Sequence, residues 1–200
     1  PSRRGRRAAE PWDPAAHSIA TPALEGFDAV VHLAGESIAQ RWSAEKKARI
    51  RDSRVQGTRL LCDALAQLVK PPKVLLCASA IGYYGDRGES IVREESTPGT
   101  GFLAEVCQAW EAAAAPAMQC GVRVVHLRLG VVLSPAGGAL AQMLRPFRLG
   151  MGGVVGSGKQ YISWIALDDV LRAIQHALST ETLSGPVNAV APQPVTNYEF

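Results

Sequence analysis

The chain has 200 residues, 47% hydrophobic and 20% charged, a balance that buries a sizeable core and excludes a disordered or fibrous protein. Its net charge of +3 is too small to imply nucleic acid, and no apolar run has the length of a membrane span or the form of a signal peptide. Four cysteines, Cys62, Cys77, Cys107 and Cys120, form no CxxC pair and stand at no metal-ligand spacing to His, so they read as buried small hydrophobes in a reducing, cytoplasmic setting with no metal site.

The chain opens on Pro1 rather than Met, which is expected of a sequence that lacks its natural start. The basic stretch PSRRGRR that follows reads as a frayed end or as a phosphate contact. Residues 27–35, FDAVVHLAG, are a short apolar run closed by glycine, which suits a buried parallel strand. A helical pattern covers residues 43–69, with Ile50, Val55, Leu61, Leu65 and Leu68 near one face and Lys46, Lys47, Arg51 and Arg59 left to solvent. PPKVLLCASA restarts the chain as a second buried strand. Residues 102–115 form an Ala-rich helix that ends near Pro116. Residues 122–133 read as a third strand, whose apolar run Arg128 interrupts. A glycine-rich segment spans residues 137–158, a helix covers residues 169–178, and PVNAVA closes as a last short strand. Strands alternating with helices predict a doubly wound parallel sheet in one domain over residues 1–200, with residues 134–168 as a substrate-side loop region.

CASAIGYYGDRGES places Ser79, Tyr83 and Tyr84 where the second strand ends, and strand carboxyl ends are where ligands sit in α/β proteins. HLAGES ends the first strand with Ala34 and Gly35, small enough for a flat ligand to approach the backbone, or simply forming a turn. His32, pointing along that strand, reads as a packed core residue. Arg54, with Arg49 and Arg51, either forms a solvated basic face or reaches back as a planar fork to a phosphate at the strand ends. In SWIALDD, Asp168 or Asp169 is expected to cap the following helix, while Trp164 lines a pocket or fills core. GVVGSGKQ departs from a phosphate-binding P-loop at Gln160, which has no hydroxyl for Mg²⁺, and no apolar strand precedes it; an ordered substrate-side loop is expected instead.

Taken together, VVHLAGE, SRVQGTRLL, SAIGYYGDRGE, GFLAEVCQAWEAAA, RVVHLRLGVVLSPAGGAL, SWIALDDV and GPVNAVAPQPVTNYEF resemble the atypical, epimerase-like branch of the short-chain dehydrogenase/reductase superfamily, from Trp12 to Phe200. The resemblance implies a Rossmann-like sheet binding NADP(H), with NAD(H) second, and a smaller substrate-side lobe. It implies cofactor contacts at Leu33, Ala34, Gly35, Arg49, Arg54, Ser79, Ala80, Gly130 and Val131, and a substrate-side Trp164. The family's N-terminal GGTGFIG unit and its C-terminal helical region are missing, so a fragment is expected, with SRRGRR hinting at a 2′-phosphate contact.

The superfamily's Ser/Thr, Tyr and Lys are absent as well: by resemblance, Ala80, Phe102 and Val106 stand at their positions. Ser79, Tyr83 and Tyr84 remain as substitute hydroxyls for catalysis. Without a cationic neighbour a phenol keeps a pKa of about 10, poor for proton transfer at neutral pH. Two readings follow. One is an NADP-dependent oxidoreductase or epimerase acting on a small carbonyl or sugar-like substrate, with no nucleic-acid or membrane partner. The other is a catalytically silent protein that senses NADP(H) and signals to a partner.

Overall fold

The computed structural model describes residues 12–14 and 16–200. In chain order its elements are β1 (Ala29–His32), α1 (Ala44–Leu65), β2 (Val74–Ala80), α2 (Phe102–Ala112), α3 (Ala115–Gln119), β3 (Arg123–Leu129), β4 (Val131–Ser134), α4 (Gly138–Arg148), β5 (Tyr161–Ile162), β6 (Trp164–Ala166), α5 (Leu167–Ser179), β7 (Gly185–Ala189) and β8 (Val195–Thr196). Four strands are hydrogen-bonded in the order β1-β2-β3-β7, a Rossmann-like parallel sheet. In β2 every residue but Ala80 is buried, the mark of a strand covered on both faces. β3 and β7 run parallel in a register that sets Arg128 beside Asn188.

Two compact units divide the chain. One comprises the described residues as far as Leu75 together with Ala109–Val124. There Ser43 starts α1 by accepting the Lys46 backbone N–H on its side-chain oxygen at 3.2 Å, satisfying one of the helix's free donors. Glu45 in the first turn adds a charge that suits the helix dipole. Ile50, Gly57, Thr58, Leu61, Cys62 and Leu65 recur mostly at three, four or seven residues and are buried, and α3 packs on this helix.

The other unit holds Leu76–Gln108 and Val125–Phe200. Its core gathers Leu76, Val125, Leu127, Ile165, Val170, Ala177 and Ala189, with Ile174 and Leu178 of α5 against them. Each large aliphatic side chain contributes ~1.5–3 kcal/mol on burial, and α5 supplies its share at helical spacing.

Five expectations need correction. The run 122–133 is two strands rather than one: β3 stops at Leu129, and after Gly130 the chain enters β4, which pairs with β6 in a separate two-stranded sheet. The glycine-rich segment contains α4, because Leu140, Met143 and Leu144 make a half-buried face against β4 while the glycines lie at its ends. Lys46 is buried rather than solvated, being paired with Glu36. Neither Asp168 nor Asp169 is the cap of α5: the N-cap is Ala166, and both acids lie in the first turn, where they face the helix dipole and Asp169 bonds Arg172 at 2.9 Å. Cys120 is exposed, just past the end of α3, whereas Cys62, Cys77 and Cys107 are buried as expected.

GVVGSGKQ leads into β5 rather than a helix and is held by Asn197, whose side-chain oxygen accepts the Val155 N–H at 2.8 Å. Among the described residues no helix is long and apolar enough to cross a membrane, and no cluster of His, Cys, Asp and Glu is arranged to hold a metal.

Burial pushes the Cys62 thiol up to about 12, so it stays protonated and unreactive at neutral pH. Alkylation with iodoacetamide should therefore modify Cys120 in the native protein and all four cysteines only in denaturant, read by mass spectrometry; rapid native labelling of Cys62 would contradict this packing.

Candidate functional site

In the first unit the chain leaves β1 through a short exposed stretch that is fastened at both ends. His32 is buried, and its Nε2 lies 3.1 Å from the hydroxyl of Thr58 on α1. That same hydroxyl accepts the indole N–H of Trp110 at 2.9 Å. The edge of Trp12 meets the imidazole at 5.4 Å, and burial pulls the His32 pKa below its ordinary 6.5, favouring the neutral ring. Leu33, 53% exposed, then half-buried Ala34 and exposed Gly35 follow.

The far end is held by α1. Arg54 donates through Nη1 to the Glu36 carbonyl at 2.9 Å and to the Ile50 carbonyl at 3.1 Å. Its guanidinium lies over Trp110, 5.1 Å from the ring centroid. A Cβ on Gly35 would sit 3.1 Å from the guanidinium carbon, so the arginine covers a backbone that has no side chain to push it away. The Glu36 N–H donates to the Ser53 hydroxyl at 2.9 Å, and the Glu36 carboxylate accepts from Lys46. Lys46, through that bond and its charge, holds the Glu36 carboxyl below the usual carboxylate range, with Arg49 and Arg54 adding to the effect.

In the second unit the end of β2 turns into a 3₁₀ helix, Ile81–Tyr84. Ser79 is buried and Ala80 half-buried. Tyr84, 2% exposed, donates its phenol proton to Asn188 Oδ1 at 2.7 Å and accepts from Arg128 Nη1 at 2.9 Å. Arg128, also 2% exposed, donates as well to the Glu94 carbonyl at 3.0 Å and lies over Tyr83, 3.5 Å from its ring centroid. The Glu94 carboxylate accepts the Asn188 N–H at 2.8 Å. Arg87 ties the turn to the following loop by donating to the carbonyls of Tyr84, at 2.9 Å, and Pro98, at 3.1 Å. Gly99 packs so closely that a Cβ there would lie 2.1 Å from the Tyr84 carbonyl oxygen. At the end of β3, Gly130 donates to the Ala189 carbonyl, and a Cβ on it would stand 2.6 Å from the Ser163 oxygen. Val131 lies opposite Trp164, which is half-buried in β6.

The sequence pattern of the NAD dependent epimerase/dehydratase family matches residues 13–189. The chain belongs to that family. An epimerase family protein of Mycobacterium bovis is 50% identical over 190 residues, 94% of this chain and 62% of its own length. The chloroplastic SDR39U1 homolog of Arabidopsis thaliana is 42% identical over 86% of this chain and 50% of its own. Among solved structures, a nucleoside-diphosphate sugar epimerase of Corynebacterium glutamicum superposes with a TM-score of 0.84 at 42% identity, over 97% of this chain and 41% of that one. The human epimerase family protein SDR39U1, crystallised with NADPH, gives 0.80 at 36%, over 86% and 59%. The chain thus spans less than two thirds of the length of these relatives.

Of the residues marked by the family resemblance, Leu33, Ala34, Gly35 and Arg54 come together in the first unit, while Arg49 stands exposed on α1 and acts on Glu36 through charge alone in the described contacts. In the second unit Gly130, Val131 and Trp164 adjoin one another, as do Tyr83 and Tyr84. The basic stretch SRRGRR lies outside the described residues. Sequence reasoning missed Glu36, Lys46, Ser53, Thr58 and Trp110 in one unit, and Glu94, Arg128 and Asn188 as a network in the other. Arg128 had one visible signal, a cation inside an apolar strand, and it is the cationic neighbour that Tyr84 was taken to lack.

Because His32 is held neutral, its protonation favours the unfolded chain. Its contribution to stability is present above pH 6.5 and is lost as the pH falls below that value toward its lowered folded pKa. Urea-unfolding midpoints should drop over that range in the wild type and drop less in His32→Gln, whose amide still reaches Thr58; parallel pH profiles would refute this role.

Proposed function

We propose that this protein binds NADP(H) and acts as an oxidoreductase or epimerase on a small carbonyl or sugar-like substrate without the usual Ser/Tyr/Lys triad. The observation that carries the reading is the end of β1, where Arg54 lies across Gly35 and the backbone of Leu33–Gly35 stays open to a flat ligand. The relative crystallised with NADPH supports the choice of cofactor. Leu33, Ala34 and Gly35 would meet a ribose and Arg54 a phosphate, with Ser79, Ala80, Gly130 and Val131 toward the nicotinamide and Trp164 toward the substrate. Bound NADPH supplies the hydride.

The proton that accompanies it must come from this chain's own groups or from water. Ser79, Tyr83 and Tyr84 are the proposed hydroxyls, and they differ in readiness. Tyr84 is buried with its proton turned onto Asn188. Tyr83 is half-buried, and a guanidinium rests on its ring face, so it is the stronger donor candidate. Tyr83→Phe should lower turnover ~100-fold or more, the scale of a lost general acid. Tyr84→Phe should leave turnover close to wild type and destabilise the fold by ~1–3 kcal/mol, because Arg128 and Asn188 lose a buried partner. The reverse ranking would assign the proton to Tyr84.

The second reading, a silent NADP(H) sensor, is favoured by one observation: Val106, at the position the resemblance gives to the catalytic lysine, is buried and carries no charge. Fluorescence titration with NADPH, followed by assays of NADPH consumption on aldehydes and ketones and of epimer formation on nucleotide sugars, separates the two. Tight binding with product on any substrate supports the enzyme. Tight binding with none supports the sensor, and no binding defeats both.

A further inference from the structure

Glu36, at the end of β1, has its N–H, its C=O and its carboxylate all bonded by the same helix. Its N–H goes to Ser53, its C=O to Arg54 and its carboxylate to Lys46. The three partners lie seven and eight residues apart, hence on one face of α1. Lys46 is 3% exposed and has its stem packed, so its charge is fixed rather than swinging in solvent. Ser53 in turn donates to the Ile50 carbonyl at 3.2 Å, which fixes the orientation of its hydroxyl toward the Glu36 N–H. On the other side of Leu33–Gly35, His32 is fastened to Thr58 of the same helix.

We propose that Glu36, with Lys46 and Ser53, is a positioning residue for nucleotide binding: it draws the Leu33–Gly35 backbone taut between two anchors on α1, so that the segment is already in its ligand-bound form before the nucleotide arrives. This rests on the NADP(H) reading above. Three residues between two fixed points have few conformations left, and the ordering that binding would otherwise require is done in advance. Arg54 closes the clamp by donating through Nη1 to the Glu36 and Ile50 carbonyls. With Lys46 neutralising the carboxylate, Glu36 does not set a bare negative charge beside an incoming phosphate.

The test uses Glu36→Gln, Ser53→Ala and the double variant Glu36→Gln/Lys46→Met, with Arg59→Ala, which breaks only the exposed Arg59–Asp63 pair on α1, as control. Glu36→Gln should weaken NADPH binding by about tenfold at a temperature where the protein stays folded, and Ser53→Ala by a similar factor. Glu36→Gln also leaves the Lys46 charge buried without its counter-ion, so its thermal midpoint should fall. The double variant removes that charge. Its midpoint should recover while its NADPH affinity stays weak, a separation that a purely structural role would not produce. Amide hydrogen exchange at residues 33–37 in the nucleotide-free protein should quicken in Glu36→Gln and Ser53→Ala and not in Arg59→Ala. Unchanged exchange, or affinity that recovers together with the midpoint, overturns the clamp. If the wild type fails to bind NADPH while exchange still quickens, the clamp stands and the choice of nucleotide falls.

Discussion

The hydroxyl of Thr58 is where three elements of the first unit agree on their positions. It is fully buried, it accepts the Trp110 N–H from α2, and it shares a hydrogen bond with His32 at the end of β1. A buried hydroxyl left unpaired costs ~1–3 kcal/mol, and the same holds for the indole and imidazole it meets. Moving any one of the three elements would strand polar atoms on the other two. The apolar face of α1 sets how deep the helix lies, and this polar contact sets where along its axis it stops. Every feature proposed for the end of β1 inherits its position from that stop, because Ser53 and Arg54 stand one turn before Thr58.

Both units place an arginine over an aromatic ring near a strand end: Arg54 over Trp110, and Arg128 over Tyr83. A lysine would serve neither position. A guanidinium can lie over a ring while donating hydrogen bonds, and both arginines do so, Arg54 to the carbonyls of Glu36 and Ile50, Arg128 to the Tyr84 oxygen and the Glu94 carbonyl. The two differ in surroundings. Arg54 is half-buried with Gly35 under it, whereas Arg128 is enclosed. Arg54 ties the Glu36 carbonyl to α1, and Arg128 ties the Tyr84 hydroxyl to the Glu94 carbonyl.

The fold was largely legible in the sequence because β2 and β3 are apolar runs whose burial demands coverage on both faces. What escaped was set by tertiary contact rather than by pattern. A helical period in residues 138–148 was masked by the glycines around it, and propensity read from those glycines outweighed Leu140, Met143 and Leu144. Lys46 looked solvated because its own helix gives no sign of Glu36 ten residues earlier. Gly130 looked like part of a strand because the obstacle it avoids, the Ser163 oxygen, is more than thirty residues away in sequence. At the site, small residues and the family motifs marked Leu33–Gly35 and Arg54, while the residues that hold them there carry no local signature. Glu36 reads from sequence as an ordinary loop acid.

The polar network around Tyr84 bears on the proton donor proposed above. In the resemblance, a helix-borne lysine sits beside the catalytic phenol, and here α2 presents Val106 instead, buried. A cation stands instead on the sheet: Arg128 lies on β3 beside Asn188 of β7, and the Tyr84 hydroxyl accepts from Arg128 and donates to Asn188. A phenol whose proton is already given to an amide oxygen, and whose oxygen already holds a guanidinium, is satisfied. Drawing its proton toward a substrate would break the bond to Asn188 and require the turn from Ile81 to Tyr84 to shift, against Arg87, which bonds its carbonyl, and Gly99, which packs on it with no slack. The same network that occupies the Tyr84 hydroxyl holds Tyr83 beside it, with the cation over its ring and the side chain less deeply buried. On the reading proposed above, the search for a proton donor therefore passes from the tyrosine that is best bonded to its neighbour.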